Sequence, residues 1–289
     1  MALTINGGGA TYSVQNSLNK TTNRLQVNFK RLSTGLRVNS AKDDSAGLAY
    51  ALRLDNSIRG MAQAVRNSND ALSLSQVAEA ALDETTSALQ RARDLMVQAN
   101  NSTVTSTTRQ TLQDEVLSML AEVQRLATQT DYNDINLLTG SFSGNTFQIG
   151  ADPGEAVMFS ILAASQAALG VSFNGSPVAG VALGSFGQGV GTASALSTLN
   201  SNLTKLDNAM DSVASIRANL GAIQNRFESI VSGLQSVSEN LSIARSRIMD
   251  ADIAQETTGL ARNAIIQQAG IAILTQANLQ PQVALRLLG

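Results

Sequence analysis

The chain has 289 residues, a formal net charge of −2, 43% hydrophobic residues, only 3% aromatic residues, and no Trp, Cys or His. This length allows about two modest domains with a sizeable core, and the near-neutral charge gives no reason to expect nucleic-acid binding. Without Cys there is no disulfide framework or thiol nucleophile, and without His the commonest general base and transition-metal ligand are missing.

The first predicted helix has an apolar face near the start of the chain. The members of this face are Val14, Leu18, Leu25, Phe29, Leu32 and Leu36. The segment before it is interrupted by Gly7, Gly8 and Gly9 and has no charged side chain before Lys20. Because a cleavable signal peptide needs a basic start and an apolar run, we expect none, and export would use another route.

The polar segment from Arg31 to Ala49 is predicted to connect two helices. Gly35 can end the first helix, and Asp43, Asp44 or Ser45 can cap the second. The segment also contains a mixed-charge patch suited to contacts between subunits, which consists of Arg31, Arg37, Lys42, Asp43 and Asp44. A solvated, capped loop without a partner is the alternative interpretation of the same residues.

Three apolar stripes predict the helices of a bundle. The first begins at Ile58, Met61, Val65 and Leu72 and, after a shift of face, continues through Leu74, Ala78, Ala81, Thr85, Ala88, Ala92, Leu95 and Ala99. After a turn at residues 100–108, a shorter stripe includes Leu112, Val116, Met119, Val123 and Leu126. The longest is a seam of about six heptads that includes Leu206, Met210, Val213, Ile216, Leu220, Ile223, Phe227, Ile230, Leu234, Val237, Leu241, Ala244 and Ile248. We expect the first two helices to pack against this long C-terminal helix.

The middle of the chain is rich in glycine and predicts a small β-rich tip. Residues 140–191 hold 11 of the 22 glycines, and residues 156–204 carry no charge. Apolar residues alternate with others on both sides of an Ala-Asp-Pro-Gly-Glu turn, at Phe147, Ile149, Val157, Phe159 and Ile161. This alternation predicts a β-hairpin.

The C-terminal segment predicts a helix that is apolar on nearly all sides. From Leu260 onward only Arg262 and Arg286 are charged, but amides and Pro281 argue against a membrane span, since unpaired amides are costly in hydrocarbon. We expect neighbouring subunits to bury this helix through Leu260, Ile266, Ile273 and Leu274. The amides expected to line a central lumen are Gln276, Asn278, Gln280 and Gln282.

Neither of the two carboxylate pairs predicts an active site. Asp43 with Asp44, and Asp250 with Asp252, lack the converging geometry of acid/base catalysis and the alternating oxygens of a Ca²⁺ loop. We therefore predict no catalytic residue, metal site or cofactor. Residues 20–66 contain nine basic and three acidic residues, and residues 70–134 contain four basic and ten acidic residues. Solvated helix faces account for most of these charges, but a basic region beside an acidic one also suits head-to-tail packing into a helical polymer.

Several motifs resemble one family. The segment from Arg31 to Ala49 resembles the N-terminal signature of bacterial flagellins, the subunits of the flagellar filament. Further segments similar to flagellin sequences follow in the same order: LQRARDLMVQANN, LGAIQNRFESI, ARSRIMDADIAQET and QQAGIAILTQANLQPQVALRLL. The resemblance covers residues 1–140 and 200–289, and the central insertion is far shorter than in large flagellins.

Together, the patterns and the resemblance predict a mainly α fold, a long coiled-coil-like bundle with paired N- and C-terminal helices and a small β-hairpin and Gly-rich tip. Three domains are expected: an inner terminal-helix domain (1–42 with 253–289), an outer bundle (43–140 with 200–252) and an insertion (141–199). In flagellins the segment at residues 31–49 connects the first two of these.

The resemblance implies a structural protein, not an enzyme, which is exported unfolded through the flagellar type III apparatus and polymerises for swimming motility. Its implied partners are other copies of itself, hook-associated junction and cap proteins, and an export chaperone at the C-terminal segment. A host Toll-like flagellin receptor is a further expected partner, through Arg91, Leu95 and Glu115. The alternatives are a hook–filament junction protein of the same family and a secreted helical-bundle translocator that inserts in membranes.

Overall fold

The computed structural model describes the backbone of residues 8–171 and 193–288 and the side chains of residues 12–171 and 200–279. The helices are α1 (Gly8–Thr34), α2 (Ser45–Ala99), α3 (Ser106–Gln129), α4 (Ala193–Met249) and α5 (Ile253–Leu288). Between α3 and α4, β1 (Asp131–Tyr132) pairs with β2 (Ile135–Asn136), and β3 (Asn145–Gln148) pairs with β4 (Ala156–Phe159). The predicted mainly α fold with a small β-hairpin is confirmed, while the Gly-rich part of the expected tip lies largely outside the described residues.

The chain forms two compact units. Unit 1 comprises Met1–Ile58 and Glu239–Gly289, and unit 2 comprises Arg59–Ser238. Unit 1 therefore contains α1, α5, the start of α2 and the end of α4. Unit 2 contains α3, both hairpins and the remaining parts of α2 and α4.

Local chemistry sets the helix ends. Helix α1 ends at Thr34 because Gly35 adopts φ +70°, a left-handed conformation that glycine reaches without steric cost. Asp44 caps α2, since its Oδ1 accepts a hydrogen bond from the backbone N–H of Gly47 at 2.8 Å. Thr105 caps α3 in the same way by accepting from the N–H of Thr108. The helix end at Gly35 and the cap at Asp44 are those predicted, whereas α3 begins at Ser106, within the predicted turn at residues 100–108.

A single heptad seam runs along α2 in unit 2. Its buried positions recur in steps of four and three, at Ala64, Ser68, Ala71, Ser75, Ala78, Leu82, Thr85, Leu89, Ala92, Met96 and Ala99. The predicted shift of face near Leu72 is therefore wrong. Ser68 and Ser75 are both 0% exposed and continue the seam, because their hydroxyls donate to the carbonyls of Ala64 and Ala71 at 2.8 and 2.9 Å. A search for apolar residues alone passes over such serines.

The β3–β4 hairpin closes the core of unit 2 with aromatic rings. Phe147 pairs with Val157 across the two strands of the predicted hairpin. The ring of Phe159 lies 5.4 Å from that of Phe142 and 6.3 Å from that of Phe227 on α4, both edge-on. These contacts attach the hairpin to the helices, since edge-to-face pairs add to the stabilisation from burial.

The β1–β2 hairpin was not predicted from the sequence. Its two-residue turn places Asn133 and Asp134 at φ 52° and 61°, the backbone of a tight hairpin turn that Asn and Asp tolerate. Each strand has two residues, too few to show alternation. The following Leu137 and Leu138 are both fully buried.

Apolar burial is divided unequally between the units. Among residues whose side chains are described, unit 2 buries thirty apolar side chains and unit 1 buries four. The predicted seam of α4 is buried or half-buried at every position except Val237, which is 45% exposed, and its fully buried positions all lie in unit 2. In the described ranges, no helix is both long enough and apolar enough to cross a bilayer.

Candidate functional site

Helices α1 and α5 pack antiparallel to each other in unit 1. A Cβ atom at Gly270 would lie 3.4 Å from Cδ1 of Leu18, and one at Gly259 would lie 3.0 Å from Nδ2 of Asn28. Gly259 therefore admits the Asn28 amide close to the backbone of α5. The predicted pairing of the two terminal helices is confirmed.

A polar network occupies the contact between these helices. Glu256, in the first turn of α5, is 9% exposed. Its carboxylate accepts hydrogen bonds from Asn28 Nδ2 at 2.5 Å and from Arg31 Nη1 at 2.9 Å. Asn263 Nδ2 donates to Asn28 Oδ1 at 3.1 Å. Because a buried charge that loses its partner is strongly destabilising, these residues act as a unit.

The face of α1 toward α5 differs from the predicted one at Phe29, which is 60% exposed. Buried and half-buried positions of α1 recur in steps of four and three, at Val14, Leu18, Thr21, Leu25, Asn28 and Leu32, and Thr22 and Arg31 are half-buried beside them. Asn28 takes the place next to α5 and forms the hydrogen bonds described above, so the neighbouring Phe29 points to solvent. The heptad seam again contains polar residues that an apolar search omits.

Large aliphatic side chains of α5 remain uncovered by α1. Ile265 is 66% exposed, Ile271 52% and Ile273 55%. We call this set, with two further exposed residues, the aliphatic surface of α5: Ile265, Ile266, Ile271, Ile273 and Leu279. Of the other candidates, Leu260 and Leu274 are half-buried. Exposed aliphatic groups at this density on one helix are typical of an interaction surface.

The connections next to the helix pair are held by backbone hydrogen bonds. Leu36 and Asp250 form an isolated antiparallel bridge. The N–H of Ala251 donates to the carbonyl of Gly35 at 2.9 Å. The guanidinium of Arg37 donates to the carbonyl of Ile248 at 2.8 Å, which places a cation at the C-terminal end of α4.

Asp43 organises the loop before α2. Its Oδ2 accepts hydrogen bonds from the Ser40 hydroxyl at 2.8 Å and from the N–H groups of Ser40 and Asn39 at 2.9 and 3.2 Å. The hydrogen bond from the Ser40 hydroxyl, together with these N–H groups and the charge of Lys30, holds the pKa of Asp43 below its ordinary value despite partial desolvation. Lys42 is exposed and, within the described part of the chain, forms no hydrogen bond or ion pair.

The second carboxylate pair has a capping role as well. Asp252 Oδ1 accepts a hydrogen bond from the N–H of Ala254 at 2.9 Å and so caps α5. Asp250 accepts from the hydroxyl of Ser246. Among the described residues, no group of three or more His, Cys, Asp or Glu side chains is placed to hold a metal ion.

The three residues that the resemblance leads us to expect at a receptor-binding surface lie in unit 2. Arg91 on α2 donates to Glu115 on α3 at 2.8 Å, and the two side chains are 58% and 41% exposed. Leu95 is 2% exposed and belongs to the core. It does not form part of the exposed surface that Arg91 and Glu115 present.

The residues that sequence reasoning did not single out are Glu256 and Asn28. One signal for Glu256 is present: it is the single carboxylate in a helix that otherwise consists of apolar, amide and small residues with two arginines. A lone acidic residue in such a helix is rarely buried without a partner. The partner Asn28 has no comparable signal, because it depends on the alignment of two helices more than 200 residues apart.

Comparison with known proteins gives full-length matches. The model of the bacterial flagellin N-terminal helical region matches residues 5–143, and that of the bacterial flagellin C-terminal helical region matches residues 203–288. Flagellin B of Vibrio cholerae serotype O1 is 33% identical over 376 residues, which cover 100% of both chains. The flagellin of Bacillus subtilis strain 168 is 36% identical over 302 residues, covering 98% of this chain and 99% of that one.

Among solved structures, a protein described as flagellar hook-associated, from Vibrio parahaemolyticus, matches with a TM-score of 0.60. It is 14% identical and covers 72% of this chain and 100% of that one. At this identity the match shows a shared fold alone.

Proposed function

The chain belongs to the bacterial flagellin family and is a structural subunit of the flagellar filament, and we propose that it enters the filament through the aliphatic surface of α5. The observation that carries this proposal is that α1 contacts one side of α5, including Glu256, and leaves Ile265, Ile271 and Ile273 more than half exposed. Fully burying one such side chain stabilises by about 1.5–3 kcal/mol. Contacts between copies would therefore provide apolar burial that these side chains lack in the single chain.

In this proposal the α5 helices of many copies form an inner tube along the filament axis. Its wall is apolar and its lumen is polar. Gln276 and Asn278 are exposed on the same helix as the aliphatic surface, and their amides would face water along the axis. Gln280 and Gln282 share this proposed role, although their side chains lie outside the described residues. The inner domain would then be residues 1–42 with 253–289, the outer bundle 43–140 with 200–252, and the insertion 141–199.

Charged residues near the helix connections are proposed to add contacts between neighbouring copies. Lys42 is exposed and available for a carboxylate of another subunit, and Arg37 lies exposed beside the end of α4. Arg31, Asp43 and Asp44 already have partners within the chain. Their proposed part is to hold the loop in the shape that presents Lys42.

The membership of a structural family supports a protein without catalytic activity or cofactor, located in the extracellular filament. We further propose export as an unfolded chain through the flagellar type III apparatus, with a chaperone on the C-terminal segment and junction and cap proteins at the filament ends. A Toll-like flagellin receptor would contact Arg91 and Glu115 directly, and the buried Leu95 would support that surface from beneath.

Two alternatives are less well supported. A hook–filament junction protein shares the fold, but the full-length relatives described above are flagellins. A membrane-inserting translocator has no support in the family match.

The test is polymerisation of the purified chain with ammonium sulfate, followed by electron microscopy and a liposome-leakage assay. Long, regular tubes without leakage are expected. Leakage without tubes would overturn the filament proposal, and short rings or caps that never elongate would favour the junction protein.

A further inference from the structure

We propose that, in the unassembled chain, one face of the α1–α5 pair binds the surface of an anionic lipid bilayer. The two helices together contain six basic residues and one acidic residue, a net charge of +5. The acidic residue is Glu256, which is 9% exposed and is bound to Asn28 and Arg31. The helix pair therefore offers a partner many cations and almost no competing negative charge.

Lys20, Arg24 and Arg31 form a basic row along one side of α1. They are four and seven residues apart, spacings that return to the same side of an α-helix. Lys20 and Arg24 are exposed and, among the residues whose side chains are described, form no hydrogen bond or ion pair. Arg31 contacts Glu256 through Nη1, and 30% of its side chain stays exposed. The row thus presents three cations to solvent.

Arg262 belongs to the exposed aliphatic side of α5. Ile266 and Ile273 follow it by four and eleven residues, so the three side chains share one side of the helix. Ile266 is 44% exposed and Ile273 is 55% exposed. Arg262 is exposed as well and, in the described part of the chain, has no ion-pair partner. This side of α5 therefore combines a cation with aliphatic groups.

An open cleft of about 590 Å³ between the two helices relates these two sides to each other. Its lining includes Arg31 of α1 and Arg262 of α5. Because both arginines border one cleft, the sides of the helices that carry them are adjacent. They form a single surface, which we call the cationic–aliphatic face: Lys20, Arg24, Arg31, Arg262, Ile266 and Ile273.

An anionic bilayer suits both kinds of side chain on this face. Anionic headgroups attract Lys and Arg within a Debye length, and the acyl boundary just below them accepts the aliphatic side of an amphipathic helix. A nucleic acid or a free oxyanion would bind the cations but leave the isoleucines in water. A second copy that met this face with its own would bury the isoleucines but would oppose cations to cations. The combination of charge and aliphatic groups therefore favours a lipid surface.

The test mixes gel-filtered, full-length monomer with lipid vesicles and measures binding by flotation in a density gradient. One set of vesicles is an equimolar mixture of phosphatidylcholine and phosphatidylglycerol, and the other is phosphatidylcholine alone. Protein that associates only with itself stays at the bottom of the gradient, so the assay counts lipid binding and does not depend on whether filaments form.

Two variants remove the charge and the aliphatic groups separately. The charge variant is Arg24→Gln with Arg262→Gln, and Arg31 is kept because it holds Glu256. The aliphatic variant is Ile266→Gln with Ile273→Gln. Circular dichroism verifies that each variant keeps its helices.

Matched controls come from exposed positions of unit 2. Arg66→Gln with Arg226→Gln removes two exposed arginines, and Val97→Gln with Leu162→Gln replaces side chains that are 50% and 61% exposed. A further control, Arg24→Lys with Arg262→Lys, keeps the charge of the cationic–aliphatic face. All three controls should bind as the parent does.

The parent is expected to float with the anionic vesicles and to bind the phosphatidylcholine vesicles at least about tenfold more weakly. The charge variant and the aliphatic variant should each bind the anionic vesicles at least about tenfold more weakly than the parent. A parent chain that does not float with anionic vesicles would overturn the proposal, as would a charge variant that binds like the parent. Binding that is lost in the charge variant but kept in the aliphatic variant would show a site for anions alone and would contradict the lipid assignment.

Discussion

Substituting one residue of the aliphatic surface of α5 tests the proposed assembly contact most directly. Ile273→Asp replaces a side chain that is 55% exposed in the single chain with a carboxylate of smaller volume. Ile273 lies in unit 1 and is not one of the buried core residues of unit 2. We expect the monomer to keep its stability to within about 1 kcal/mol, the range for an exposed helix position.

The effect on the filament should be much larger. About half of the Ile273 side chain remains to be buried, so roughly 1–1.5 kcal/mol of apolar contact is lost. Placing a carboxylate in a dry interface adds a desolvation cost of at least about 2 kcal/mol. Together these amount to about 3 kcal/mol or more, which corresponds to an increase of the critical concentration by at least about a hundredfold.

The assay is the critical concentration for polymerisation, measured by sedimentation after seeding with parent filaments, with circular dichroism melting of the monomer beside it. Ile273→Ala separates the two contributions, since it loses packing without adding charge and should raise the critical concentration about tenfold. Ile273→Leu keeps the volume and should polymerise nearly as the parent does. An unchanged critical concentration for Ile273→Asp would refute the assignment of this face to the filament interior.

Three further outcomes follow from unit 1. Gly259→Ala should destabilise the terminal helix pair by about 0.5–2 kcal/mol, because the added Cβ displaces Asn28 and weakens its charge-assisted hydrogen bond. The control is Gly233→Ala on α4, where a Cβ would have no neighbour within 4 Å, and this change should stabilise by up to about 1 kcal/mol. Hydrogen exchange on both variants compares the two effects. Asp43→Asn should speed hydrogen exchange of the Ser40 amide at neutral pH. Because the pKa of Asp43 is lowered in the folded chain, its stabilising contribution is present above the ordinary value of 3.8 and is lost as the pH falls through the lowered value. The difference in exchange rate between the parent and Asp43→Asn should therefore vanish in acid. Limited proteolysis should cut α1 and α5 before unit 2 in monomers and spare them in filaments, and equal protection in both states would count against coupling to assembly.

Much of the fold follows from the sequence because hydrophobic periodicity records helix faces directly. The pairing of terminal helices, the hairpin at Phe147 and Val157, and the helix end at Gly35 were all predicted. The errors in the buried faces of α1 and α2 share one physical cause. Ser68 and Ser75 satisfy their hydroxyls within their own helix, so they fit a tight seam where no apolar residue marks the position.

The polar network around Glu256 could not be predicted from the sequence for a related reason. A buried Glu256 is stable only with donors from α1, and which donors reach it depends on the alignment of two helices that the sequence does not state. The outward residues were accessible to sequence reasoning, because a helix with aliphatic side chains on most sides exceeds what one partner can cover.

The two units differ in how many apolar side chains they bury. In the proposed assembly, this difference lets unit 2 be stable in the single chain while unit 1 depends on contacts with other copies. Unit 2 carries thirty of the buried apolar side chains among the described residues, enough to fold by itself as a cooperative core, whereas unit 1 carries four. A terminal pair with so little apolar burial is held by directional contacts such as those of Glu256, which specify geometry more than they stabilise. Further aliphatic contacts between α1 and α5 would stabilise the monomer. They would also bury within one chain the side chains that the proposed contacts between copies require. In the proposed assembly, the small apolar core of unit 1 in the single chain leaves these side chains free for a filament interior that we expect to form only on assembly.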